Sequence, residues 1–130
     1  MQIFENKKMK TKTMVIVFIV IVMLTGTPMW VVDYGQYANN YRIPFSGVII
    51  AAVCAYILAY NTVHKKSKLT LYVIAAHQLA FLIKVYIDCL EDPTNHNLLP
   101  FEMLILLVLD AICCLGLVLL GREEGTKRKI

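Results

Sequence analysis

Ten consecutive residues, Val15-Ile16-Val17-Phe18-Ile19-Val20-Ile21-Val22-Met23-Leu24, contain no polar side chain. A helix on the surface of a soluble protein keeps roughly half of its circumference wet, and this segment offers no polar position in any helical register. Its β-branched residues would also suit a strand, but a lone strand cannot satisfy its backbone polar groups in lipid. A helix that crosses a membrane meets both constraints.

Three further apolar blocks follow, and the expected spans are Met14–Val32, Phe45–Val63, Leu69–Ile87 and Phe101–Leu120. Each is close to the roughly 20 residues that a helix needs to cross the hydrocarbon core. The composition agrees: 58% of residues are apolar and 17% charged, against about 45–50% and a quarter in soluble domains. What remains is a basic N-terminal segment (1–13), short connections and a tail (121–130), which leave no room for a soluble domain. The expected fold is therefore all-α, an integral membrane bundle of four transmembrane helices forming one domain over 14–120.

The net charge of +4 is no nucleic-acid signature, because the charges sort by side. Lys7, Lys8, Lys10 and Lys12 precede the first span, Lys65, Lys66 and Lys68 join the second and third, and Arg122, Lys127, Arg128 and Lys129 follow the fourth. Arg42 stands alone on the opposite side, with Asp33, Asp88, Glu91, Asp92 and Glu102. Short loops rich in Lys and Arg stay in the cytoplasm. Both termini are expected there, in a multi-pass protein of the cell membrane. A basic start before an apolar run also fits a cleaved signal peptide, but Thr25-Gly26-Thr27 lacks Ala-x-Ala character and apolar residues resume at Met29.

Local chemistry refines the spans. Trp30, Tyr34 and Tyr86 near one interface and Tyr60 and Tyr72 near the other match aromatic belts. Pro44-Phe45 and Pro100-Phe101 open the second and fourth spans, where proline's missing N–H costs nothing. Pro28 should end or kink the first helix, with the Thr25 and Thr27 hydroxyls available to freed carbonyls. A shift of 56 residues superposes Lys10 on Lys66, Lys12 on Lys68, Asn39 on Asn95 and Pro44-Phe45 on Pro100-Phe101. Two duplicated hairpins would give that pattern, as would convergence on the same basic flank, turn and proline start.

Gly47, Ala51, Ala55 and Ala59 recur every four residues in the second span. Such a smooth stripe lets membrane helices approach closely. It would seat another helix of the same chain, with a homo- or hetero-oligomer as the second reading. Ala76 and Ala80 offer a shorter counterpart in the third span.

Ionisable side chains inside a bilayer are costly and mark either function or packing. Three fall within spans: His77, Lys84 and Asp110. At 1.5 Å per residue, His77 lies about 16 Å deep and Asp110 about 14 Å, nearly one level. Lys84, about 6 Å deep, shares a helix face with His77 and can reach outward to Asp88 or inward to Asp110. These three form the candidate intramembrane polar site, which Cys54, Tyr56, Gln78 and Cys113 could line. One reading is a proton- or ion-linked centre; the plainer one is an interhelical hydrogen bond that holds the bundle.

Cys54, Cys89, Cys113 and Cys114 show no CxxC spacing. The loop Asp88–His96 carries metal-ligand residue types without metal-ligand spacing. No phosphate-cradling loop, nucleophile motif or family motif occurs, so no catalytic, cofactor or metal residue is assigned. The tyrosines of the first loop could meet headgroups or a partner, and the basic clusters anionic lipid. The expected function is a non-enzymatic subunit, accessory or protective protein acting through helix contacts in the bilayer; the alternative is a small oligomeric transporter or channel using His77, Lys84 and Asp110.

Overall fold

The computed structural model describes residues 8–128 as five helices. They are α1 (Thr11–Trp30), α2 (Tyr34–Asn39), α3 (Arg42–Asn61), α4 (Lys66–Glu91) and α5 (Leu99–Lys127). Lys7 and Lys129 of the basic clusters lie outside the described residues. Within them, all but α2 are long and apolar enough to cross a membrane. Each of the four begins two or three residues before the expected span, and α5 runs seven residues past its expected end. Apart from Arg42 and Lys84, the described basic residues gather at one end of the bundle, called here the basic end, and Asp33, Asp88, Asp92 and Glu102 mark the acidic end.

Helix α1 continues through Pro28 and ends two residues later, at Trp30. Proline removes the hydrogen bond to the carbonyl four residues back, which is that of Leu24. The nearby hydroxyls instead add second donors to earlier carbonyls, Thr25 Oγ1 to Ile21 at 2.8 Å and Thr27 Oγ1 to Met23 at 2.6 Å. Trp30 turns back over Gly26, where a Cβ would lie 2.2 Å from its ring. Its indole N–H then donates to the Ala80 carbonyl of α4 at 3.0 Å. This tryptophan is therefore a fastener between helices as well as an interfacial aromatic.

The connection from α1 to α3 contains the short helix α2. Asp33 accepts from the Gln36 backbone at 2.8 Å, and the Gln36 side-chain oxygen accepts from the Asp33 backbone N–H at 3.4 Å, a reciprocal capping box. The turn before α5 is closed by Asp92, whose carboxylate accepts from both the backbone and the hydroxyl of Thr94. Those two donors, the backbone one foremost, hold the Asp92 carboxyl below its ordinary range.

The most extensive contact is between α3 and α5, followed by α1 with α4. Helices α3 and α4 each touch the three other long helices, and across the α3–α4 pair Gly47 makes room for the His77 ring. Gly47, Ala51, Ala55 and Ala59 are all buried, as are Ala76 and Ala80. A hairpin duplicated about a twofold axis would make α1–α5 equivalent to α3–α4, yet among the described residues α1 and α5 form no comparable contact. At the basic end, α5 presses Gly121 and Gly125 onto α3, where a Cβ would come within 2.5 Å of the Tyr56 and Tyr60 carbonyls. This Gly-xxx-Gly contact is why α5 stays helical beyond its apolar block. The outward faces of α1 (Val15, Ile16, Ile19, Val20) and α5 (Leu104, Val108, Ile112, Leu119) are exposed and aliphatic.

Candidate functional site

The three ionisable span residues fall into two separate clusters. His77 on α4 and Asp110 on α5 face each other at mid-span, both essentially without solvent exposure. His77 Nδ1 lies 2.8 Å from each carboxylate oxygen of Asp110. Gln78 adds a longer contact, Nε2 donating to Oδ2 at 3.4 Å. The other ring nitrogen, Nε2 of His77, is buried with no hydrogen-bond partner among the described residues. It points at Gly47, where a Cβ would lie 2.6 Å away. Glycine at the head of the small-residue stripe is thus the space that the imidazole occupies. Tyr56 does not line this pair; its hydroxyl donates to Glu124 at the basic end.

Lys84 turns away from this pair toward the acidic end. Its ammonium donates to Asp88 Oδ1 at 2.7 Å and to the Val32 carbonyl beyond α1 at 2.6 Å. It also lies 5.8 Å from the centre of the Tyr37 ring. Asp88 Oδ2 meets His96 Nε2 at 2.7 Å, and His96 Nδ1 meets Glu102 Oε2 at 2.5 Å. A continuous chain Lys84–Asp88–His96–Glu102 therefore ties α1, α4, the following turn and α5 together. Both ring nitrogens of His96 face carboxylate oxygens, so each contact needs a hydrogen and neither can be two lone pairs.

His96 reaches this place because its backbone takes φ 59°, in the left-handed region. Such a conformation costs about 1–2 kcal/mol for a residue with a Cβ, offset here by two short ionic contacts. The Asn95 amide helps by donating to the Asp88 carbonyl at 3.0 Å. Tyr34, Tyr37 and Phe81 enclose the His96 ring, with centroids at 4.6, 6.0 and 5.8 Å. Burial, then the charges of Glu102 and Asp88, push the Tyr37 hydroxyl far above its ordinary range. It stays protonated throughout the physiological range.

The sequence names Asp88 as one destination of Lys84 but gives His96 and Tyr37 no place in this chain, and puts Glu102 only among the acidic residues of the outer side. The i,i+4 spacing of Lys84 and Asp88 was the available signal. His96 carried none, because its position depends on the turn that swings it back.

Beside this cluster, a cleft of about 480 Å³ opens between α2, α3 and α5. Its walls include Tyr34, Tyr37, Tyr41, Phe45 and the Glu102 carboxylate.

A third cluster fastens the basic end. His64 Nε2 accepts from the Met9 backbone at 3.0 Å, and Arg122 donates to the His64 and Ala59 carbonyls at 2.5 and 3.2 Å. Burial, with Lys68, Lys8 and Arg122 nearby, holds the His64 imidazole below its ordinary pKa.

All four cysteine thiols are free, and Cys89 Sγ contacts only the Asn95 carbonyl, at 3.6 Å. Among the described residues no three His, Cys, Asp or Glu side chains gather in a way that could hold a metal ion. The arrangement defines a class: an all-α bundle of candidate membrane helices with buried ionic clusters at mid-span and at the acidic end. No family model, curated protein or solved structure matches the chain.

Proposed function

We propose that this chain is a non-enzymatic multi-pass protein of the cell membrane, with both termini cytoplasmic, acting as a subunit, accessory or protective protein through helix contacts. The observation that supports this is how the polar groups are used. Lys84, Asp88 and His96 bond one another, His77 bonds Asp110, and the stripe Gly47–Ala59 is covered by the chain's own helices. The aliphatic faces of α1 and α5 are left to meet lipid or a partner helix, in a homo- or hetero-oligomer. Orientation is supported by the clustering of basic side chains at one end. An internal duplication is supported by the matched proline starts of α3 and α5, and opposed by the unequal α3–α4 and α1–α5 contacts.

The test is native-membrane crosslinking from a probe placed at Ile112 on α5, which is 67% exposed. A discrete crosslinked species is expected, to a second copy or to one partner. A chain that crosslinks only to lipid and purifies alone from its native membrane would contradict the reading.

One observation favours the alternative, a small oligomeric transporter or channel: the unpartnered His77 Nε2 beside the Asp110 contact. A buried imidazole with one free nitrogen is suited to serve as a proton station. Proteoliposome flux driven by a pH gradient, abolished in Asp110→Asn, would establish that activity instead.

A further inference from the structure

The acidic-end cleft combines three features. A single stripe of α5, Glu102, Ile105, Leu106 and Leu109, forms one wall. These residues stand at i, i+3, i+4 and i+7, so they share one helix face. That wall has a carboxylate at one end and runs as aliphatic surface for about 6 Å along the axis. The opposite wall is aromatic, from Tyr34 and Tyr37 on α2 and from Tyr41 and Phe45 at the start of α3. Tyr41 is 69% exposed and Ile105 61% exposed, so both large side chains stand at an open cleft.

Glu102 brings a carboxylate acceptor to the lining. Glu102 Oε2 is engaged by His96, and Oε1 has no hydrogen-bond partner among the described residues. The cleft lining contains no Lys, Arg or His. Aromatic faces attract ammonium groups, and the neighbouring Tyr37 ring already carries one, Lys84 Nζ at 5.8 Å. Lys84 and His96 lie behind the lining, engaged by Asp88 and Glu102, so a phosphate finds no free cationic partner in the cleft wall and a zwitterionic phospholipid headgroup is disfavoured. The volume, about 480 Å³, lies within the range of about 300–1,000 Å³ typical of small-ligand sites.

We propose that this cleft binds a monocationic amphiphile, an amine or quaternary ammonium head on a single alkyl chain. The head lies between Glu102 and the tyrosine rings, and the chain runs along Ile105, Leu106 and Leu109. Ile105 and Phe45, both exposed, form a mouth on the side of the bundle through which such a molecule enters from the lipid phase.

The experiment uses the full chain in lipid nanodiscs and radiolabelled dodecyltrimethylammonium, with empty nanodiscs as the partition control. Saturable binding above the control is expected. Unlabelled dodecylphosphocholine, which shares the head cation but adds a phosphate, should compete about tenfold less well. Glu102→Gln should weaken binding about tenfold. Ile105→Trp, which fills the cleft from its exposed side, should abolish it. Tyr41→Ala should weaken it severalfold while leaving the Lys84–Asp88–His96–Glu102 chain untouched. Because Glu102→Gln also changes a contact of His96, the Ile105 and Tyr41 variants decide the matter if that variant folds poorly. Binding that equals empty nanodiscs, that is unchanged in Ile105→Trp, or that dodecylphosphocholine displaces equally well would overturn the proposal.

Discussion

The His77–Asp110 contact allows a sharp energetic test, because its two ends sit on different helices and neither touches water. Consider Asp110→Leu, Asp110→Asn and His77→Leu, with the double leucine variant closing a thermodynamic cycle. In Asp110→Leu the imidazole loses both 2.8 Å contacts, and its second nitrogen already lacks a partner. A buried polar group stripped of its hydrogen bonds costs about 1–3 kcal/mol. The larger figure for a broken buried ion pair, about 3–5 kcal/mol, overstates the loss if the survivor becomes neutral, as either group can. In Asp110→Asn the amide oxygen still accepts from Nδ1–H, so the loss should stay below about 1 kcal/mol. The double variant removes both polar groups, and the coupling between the two sites should be about 0.5–2 kcal/mol, the range found for hydrogen bonds between membrane helices. Reversible unfolding in bicelles measures each corner of the cycle. A coupling of zero, with leucine and asparagine equally tolerated at position 110, would mean that the pair contributes nothing to the bundle. Stability retained in Asp110→Asn together with lost proton-driven flux would instead move this pair from structure to mechanism.

Other outcomes follow from the same geometry. Gly121→Ala should destabilise by about 1–3 kcal/mol, because its Cβ would come within 2.5 Å of the Tyr56 carbonyl, whereas Gly116→Ala meets nothing within 4 Å and should gain up to about 1 kcal/mol from helix propensity; equal thermal shifts in detergent would refute the close approach of α5 to α3. Lys84→Met strips one partner from the buried Asp88 carboxylate and should cost about 3–5 kcal/mol, measured by the same unfolding, while Lys127→Met breaks only an exposed pair with Glu123 and should change stability little. His64 is held below its ordinary pKa in the fold, so the unfolded chain takes up its proton first. Stability should be intact above pH about 6.5 and fall as the pH drops through the lower folded value. His64→Asn should flatten that acid slope between pH 7.5 and 5, and an unchanged slope would exclude His64 as its source.

Much of the architecture is readable without coordinates, because crossing a bilayer is a contiguous requirement. Hydropathy adds along neighbouring residues, so Val15–Leu24 announces a helix apolar enough to cross a membrane whatever it packs against. The sorting of Lys and Arg to one side is likewise a property of position along the chain. Even the partner of Lys84 was within local reach, since Asp88 lies one turn away on the same helix. Helix α2 was missed, since the segment reads as a tyrosine-rich loop; the capping pair Asp33 and Gln36 was the local signal that it carried.

The site was only half legible. Depth from the helix ends put His77 and Asp110 at one level, but level says nothing of rotation, and 33 residues separate the two in sequence. Whether they meet depends on how α4 and α5 turn about their axes. Close packing sets that rotation, with Gly47 giving the His77 ring its space and Gly121 and Gly125 drawing α5 against α3. His96 is the clearest case, placed by a left-handed turn and by two carboxylates from different helices. The amino-acid sequence by itself thus determined that four helices can cross a membrane, roughly where they begin, and which groups would be expensive to bury. Tertiary packing alone decided which of those groups neutralise one another, because that depends on contacts between segments whose order in the chain carries no distance information.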